Sequence, residues 1–185
     1  ILCVGGGCNT PEGSIAVNLF LDKINIPTVA TLRGLGVVSD KHKLFLGMLG
    51  MHGAVHTNRA VADADLFIAL GMRFDDRATG NINTFCANAK IIHIDIDPSE
   101  INKLKKANVS IVGDSTQIIT EIMRGSSKLD FIDWLSVINS WEINKKTLSN
   151  IFNPEYLIKF IAESIPKNSF VCTDVGQHQM FVAQH

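Results

Sequence analysis

Five short segments carry the residue types that hold or polarise a ligand. Val4-Gly5-Gly6-Gly7 follows an apolar run. Glycines there let the backbone approach a ligand closely or take positive φ, and amides opening the next helix attract phosphate. The same glycines suit a tight turn that holds no ligand. Leu49-Gly50-Met51-His52-Gly53 sets two glycines around a Met-His pair just before a helical stretch, and backbone exposed in this way suits a ligand wall. His52 and His56 have the i, i+4 spacing of a metal pair, but the glutamate of the zinc-protease motif is missing between them. A capping or surface role is expected for both, and no metal ligand is assigned.

Gly71-Met72-Arg73-Phe74-Asp75-Asp76-Arg77 follows the apolar run Leu66–Leu70. Guanidinium forks match phosphate and lie flat on rings. An internal Arg–Asp network closing the loop would use the same residues. Ile94-Asp95-Ile96-Asp97 offers a carboxylate at a strand end, where ribose hydroxyls are taken in dinucleotide folds. Asp95 suits that role, Asp97 reads as a helix N-cap, and Glu100 completes a capping box. Last, Thr173-Asp174-Val175-Gly176-Gln177-His178-Gln179-Met180 joins a strand-like run to a helical one. Amides at Gly176 and the Gln and His side chains can meet a diphosphate, or form a polar first turn with no ligand.

Positioning these segments requires alternating strands and helices. Strands are expected at Ile1–Val4, Thr28–Thr31, Leu66–Leu70, Ile91–Asp95, Ser110–Val112 and Ser169–Thr173. Several are apolar without alternation, as parallel strands covered on both faces are. Helices are expected at about Glu12–Lys23, Ala54–Asp63, Ser115–Arg124, Ile132–Lys146 and Pro154–Ile165. Asp97-Pro98-Ser99-Glu100 and Asn153-Pro154-Glu155 carry helix-start signals. The order implies an α/β fold with a doubly wound parallel sheet. Residues 1–125 read as one α/β domain, 126–150 as an interdomain connection with its own helix, and 151–185 as the opening of a further domain. The last stretch is too short to bury a core, so its domain is expected to continue. Ile1–Val4 reads as a strand entered partway.

Composition narrows the partners. The 185 residues are 46% hydrophobic with a formal net charge of -1, which gives no general attraction to nucleic acid or anionic membrane. No apolar run reaches the length of a membrane span. Cys3, Cys8, Cys86 and Cys172 form no Cys-x-x-Cys pair, which argues against a zinc ribbon or thioredoxin motif. No Gly-x-Gly-x-x-Gly turn occurs, which argues against a common NAD-dependent oxidoreductase.

Taken together, the five segments and Gly113-Asp114, in this order, resemble the acetolactate synthase (acetohydroxyacid synthase) catalytic-subunit family. The resemblance runs from Val4 to His185 and is weakest over Arg124–Asn150. It implies the Rossmann-like central domain of thiamine-diphosphate enzymes, holding an extended FAD, followed by the start of a thiamine-diphosphate-binding domain. By resemblance, Gly5, Gly6 and Gly7, and Thr31 and Leu32, are flavin contacts, and Leu49, Gly50, Met51 and His52 form the wall beside the flavin. Gly71, Arg73, Asp76 and Arg77 match its phosphate and ribityl contacts, with Arg77 also facing the substrate channel. Asp95, Ile96, Glu100, Gly113 and Asp114 match the adenosine end. Val175, Gly176, Gln177 and His178 match the turn near thiamine diphosphate.

The family joins two pyruvates, or pyruvate and 2-oxobutyrate, with loss of carbon dioxide, and so begins branched-chain amino-acid synthesis. Its cofactors are thiamine diphosphate, magnesium and a non-redox FAD. Its partners are a second catalytic subunit and a small regulatory subunit, and its location is the bacterial cytoplasm or an organelle stroma or matrix. The activating glutamate and the magnesium-holding Gly-Asp-Gly and Asn segment of the family lie outside these residues, so the 185-residue chain alone is expected to be inactive. Arg33 departs from the family, many of whose members carry an apolar residue there. A related 2-oxo acid decarboxylase or carboligase, or a non-catalytic dinucleotide-binding module, are the alternative readings.

Overall fold

The computed structural model describes residues 1–142 and 153–185, which form two compact units divided after Glu142. In the first, six parallel strands make one sheet: β1 (Leu2–Val4), β2 (Thr28–Ala30), β3 (Phe45–Met48), β4 (Leu66–Leu70), β5 (Lys90–Asp95) and β6 (Val109–Val112). Their spatial order is β3-β2-β1-β4-β5-β6. The chain therefore winds outward in one direction from β1, returns, and winds outward in the other from β4.

Side-chain alternation sorts the core into two layers. Cys3, Val29, Phe67, Ala69 and Ile91 face one side, where α2 (Val55–Asp63) contributes Ala60 and Val61. Leu2, Val4, Ala30, Leu70 and Ile94 face the other, under α1 (Pro11–Ile24) and α4 (Ser115–Gly125). Thr10 caps α1, its hydroxyl accepting from Gly13 N at 3.0 Å, with Pro11 in the first turn. Asp114 caps α4 by accepting from Gln117 N.

The stretch read as a connection holds α5 (Ile132–Glu142), and this helix packs on the first unit. Ile138 is 1% exposed within the α2-side layer. Arg59 of α2 lies over the Trp141 ring at 4.1 Å. The remainder of the expected helix to Lys146 lies outside the described residues.

Three expectations are corrected. β3 was not foreseen: Gly47, at φ 98°, interrupts its apolar pattern and marks a register shift against β2. No helix follows Asp97. Its carboxylate accepts from Ser99 N at 2.8 Å and its carbonyl from Glu100 N, so the chain turns locally and the helix is not propagated. Ser169–Thr173 is not a strand. A strand needs a neighbour for its backbone groups, and the second unit's described residues provide none. That unit holds α6 (Pro154–Ser164), capped by Asn153, and α7 (Gln177–Gln184).

Candidate functional site

Every expected ligand segment of the first unit stands at the carboxyl ends of the strands. The sheet reverses direction between β1 and β4, and open α/β sheets take their ligands at this switch point. Gly5 N donates to Leu70 O at 2.9 Å and Gly7 N to Gly71 O at 2.9 Å, which sews the turns after β1 and β4 together. A Cβ on Gly5 would lie 2.2 Å from Gly71 O, and one on Gly71, at φ 58°, would lie 2.9 Å from Gly7 Cα. These glycines are thus demanded by backbone packing on backbone. Gly6 differs, because the heavy atoms nearest its Cβ position are those of the Arg33 side chain.

Below this turn Cys8 is buried, with its thiol 3.3 Å from Leu70 O. Burial pushes its pKa up to about 11, so it is an inert thiol at neutral pH. Thr31 N donates to Val4 O, and Leu32 opens a one-turn 3-10 segment, Leu32–Gly34, at the rim.

The second turn, after β3, is fastened twice. Asn58 of α2 accepts from Gly50 N at 2.8 Å and donates to Gly50 O at 2.9 Å. Met51 N donates to Arg77 O at 2.9 Å, and Gly50, at φ 100°, leaves no room for a side chain against that carbonyl. The segments 49–53 and 71–77 therefore form one wall. Leu49 is buried beneath it, while Met51 and His52 are exposed. His56 points away to Leu46 O at 3.1 Å. No cluster of potential metal ligands occurs among the described residues.

The arginine segment alternates. Met72, Phe74 and Ala78 are buried, while Arg73, Asp75, Asp76 and Arg77 are exposed. Asp75 caps the short helix α3 (Asp76–Thr79) through Ala78 N. Arg73 and Arg77 have no carboxylate within 4 Å among the described residues. The Arg–Asp network weighed from the sequence does not form.

At the end of β5, Asp95 is 8% exposed and accepts from Asp97 N at 3.0 Å. Asp97 is held below the usual carboxylate range by hydrogen bonds from Ser99. Ile96 is exposed, and Glu100 pairs with Lys103 at 2.8 Å. Gly113 N donates to Asp95 O at 2.9 Å, joining the β5 and β6 ends, and Asp114 is occupied in capping α4. Leu32, Met51 and Ile96 are 42%, 67% and 68% exposed. Exposed apolar side chains on the same sheet edge as guanidiniums with no carboxylate partner among the described residues suit a ligand with flat rings and phosphates.

Asn58 and His93 were missed by sequence reasoning. Asn58 fastens Gly50, eight residues before it, and the His93 ring reaches Met72 O, twenty-one residues away; neither contact is marked in the residue's own neighbourhood.

In the second unit, Val175 is 84% exposed. Gly176 accepts from Gln179 N at 3.2 Å at the start of α7. The His178 ring folds back so that Cε1 and Nδ1 lie 3.0 Å from the Cβ position of Gly176. His178 borders an apolar recess formed with Tyr156, Leu157, Phe160 and Phe181.

The chain is 39% identical to the acetolactate synthase large subunit of Haemophilus influenzae and 40% identical to the isozyme 2 large subunit of Escherichia coli, with all of this chain and 34% of each relative covered. It is 41% identical to acetolactate synthase 1, chloroplastic, of Nicotiana tabacum, again over the whole chain but 29% of that relative. It thus spans about a third of the length of these curated relatives. Residues 1–122 match the family model "Thiamine pyrophosphate enzyme, central domain". Sheet order, switch-point geometry and similarity agree, and the chain belongs to the thiamine pyrophosphate enzyme central-domain family.

Proposed function

We propose that this chain is part of an acetolactate synthase large subunit and that its first unit holds a flavin dinucleotide as a non-redox structural cofactor. The observation that carries this is the carboxyl edge of the sheet: Arg73 and Arg77 stand there without carboxylate partners among the described residues, on the same edge as the exposed Met51 and Ile96. Guanidiniums in that position serve the phosphates, and the apolar side chains serve the rings. Asp95, fixed at its strand end by Asp97 N, presents a carboxylate for ribose hydroxyls. FAD fits these residues.

Thiamine diphosphate, when bound, supplies the electron sink that lets a 2-oxo acid lose carbon dioxide and attack a second one. This chain's proposed contribution to holding it is the turn Val175, Gly176, Gln177 and His178, where the Val175 amide donates to the Asp174 carboxylate at 2.7 Å and Gln177 and His178 offer side-chain donors. Magnesium, which anchors the diphosphate in the resembling family, belongs to the same reading. The proposed reaction joins two pyruvates, or pyruvate and 2-oxobutyrate, in branched-chain amino-acid synthesis. A second copy and a small regulatory subunit complete the proposed assembly.

The test is an assay of the full-length protein with thiamine diphosphate, magnesium and FAD, using pyruvate alone. Acetolactate is the expected product, and denaturation should release FAD. Acetaldehyde formed without acetolactate would replace this reading with that of a related decarboxylase.

A further inference from the structure

Arg33 occupies a defined place at the switch point. A Cβ on Gly34 would lie 2.2 Å from Val4 O and 3.3 Å from Gly5 Cα, so the bare Cα lets the turn Leu32–Gly34 press onto the end of β1. Gly34 N donates to Thr31 O at 2.9 Å, and Asn9 Nδ2 donates to Arg33 O at 3.1 Å. These contacts fix the backbone from which Arg33 projects.

The side chain then crosses the glycine turn. From the Cβ position of Gly6, Arg33 Cβ, Nε and Cδ lie 3.1, 3.7 and 3.8 Å away. A larger residue at position 6 would displace it. Arg33 is exposed, and among the described residues no carboxylate lies within 4 Å of it. Its stem rests on Gly6 and its charge is uncompensated.

A guanidinium positioned this way recognises an anion with paired oxygens. It stands beyond β2 and over the turn that leaves β1. We infer that Arg33 is a specificity-determining residue that contacts a phosphoryl group of the dinucleotide, so that this chain selects FAD over the unphosphorylated flavin. The inference rests on the flavin reading proposed above and adds to it a residue, a charge and a ligand preference. It also sets Gly6 apart from Gly5 and Gly71: the heavy atoms nearest its Cβ position belong to the Arg33 side chain and not to backbone.

The test uses the full-length protein, titrated with FAD and separately with riboflavin, following quenching of flavin fluorescence. R33M should weaken FAD binding about tenfold, the scale of one charge-assisted contact, and leave riboflavin binding unchanged. R33K should restore part of the loss, and added salt should erode FAD affinity more in the wild type than in R33M. Undiminished FAD affinity in R33M, beside normal wild-type binding, would overturn the Arg33 assignment alone. Equal losses for FAD and riboflavin would overturn it as well, because the side chain would then be serving the ring. A wild-type protein that binds no FAD would overturn both this inference and the flavin reading beneath it.

Discussion

The imidazole Nε2 of His93 lies 3.1 Å from the carbonyl oxygen of Met72. Donation from Nε2 places the proton there and leaves Nδ1 as an acceptor, and Nδ1 is buried without a partner. The ring also meets the edge of Phe74 at 5.0 Å. His93 therefore ties β5 to the loop that carries Arg73 and Arg77. His93→Ala should cost about 2–4 kcal/mol, through a cavity and a freed buried carbonyl. Urea unfolding measures this. A change below about 0.5 kcal/mol, the scale of an ordinary surface substitution, would contradict the described packing.

Gly71 and Gly80 share a positive φ, 58° and 60°, but their surroundings differ. A Cβ on Gly80 would meet nothing within 4 Å, whereas one on Gly71 would strike Gly7. Gly80→Ala should cost about 1–3 kcal/mol for backbone strain alone, because φ 60° with ψ -129° is a conformation that side-chain-bearing residues rarely adopt. Gly71→Ala should exceed it by about 2 kcal/mol, because overpacking is added. Thermal unfolding of the two variants separates strain from crowding. Equal losses would mean that the turns after β1 and β4 are not interlocked.

The four cysteines should divide sharply by reactivity. Cys3, Cys8 and Cys86 are buried and Cys172 is exposed. A disulfide reagent at pH 8 should modify Cys172 alone in the native protein and all four after denaturation. The pH response follows from the same burial. The Cys8 thiol is raised from 9.0 to about 11 and that of Cys86 to about 12. A raised folded pKa contributes stability that is complete below pH 9 and is lost as pH climbs through 11–12. Stability measured from pH 8 upward should therefore fall, and Cys8→Ser should flatten part of the fall.

Ile138 and Trp141 make α5 part of the first unit. Ile138→Ala should lower the stability of that unit by about 2–4 kcal/mol, read by denaturant unfolding. Trp141→Ala should lower it by a smaller amount, of which about 0.5–1 kcal/mol reflects the lost contact with Arg59. No change in either variant would return residues 126–142 to the role of a connection.

What the sequence disclosed depended on how local the cause was. The runs Leu66–Leu70 and Ile91–Asp95 are apolar enough to declare buried parallel strands by themselves, and Asn153-Pro154 declares a helix start. The strand Phe45–Met48 hid because Gly47 breaks its pattern. The helix signal at Asp97-Pro98 failed because an aspartate carboxylate can close a turn with equal economy. The arginine segment read as ligand chemistry or as an internal Arg–Asp network, and the network is what the structure removes, since no carboxylate lies within 4 Å of Arg73 or Arg77 among the described residues. Its fastening to Met51 N through Arg77 O was not legible, because a backbone carbonyl twenty-six residues away leaves no mark on either stretch. Arg33 was visible as a departure from its family, but its place across Gly6 emerged only in three dimensions.

The interlock of Gly5 and Gly7 with Gly71 bears on how such turns are inherited. Because the glycines answer to each other's backbone, a descendant that had lost its ligand would still be obliged to keep them. Replacing one would first require the opposite turn to move. Glycines at this crossing therefore report the packing of the scaffold and carry no news of whether a ligand is held.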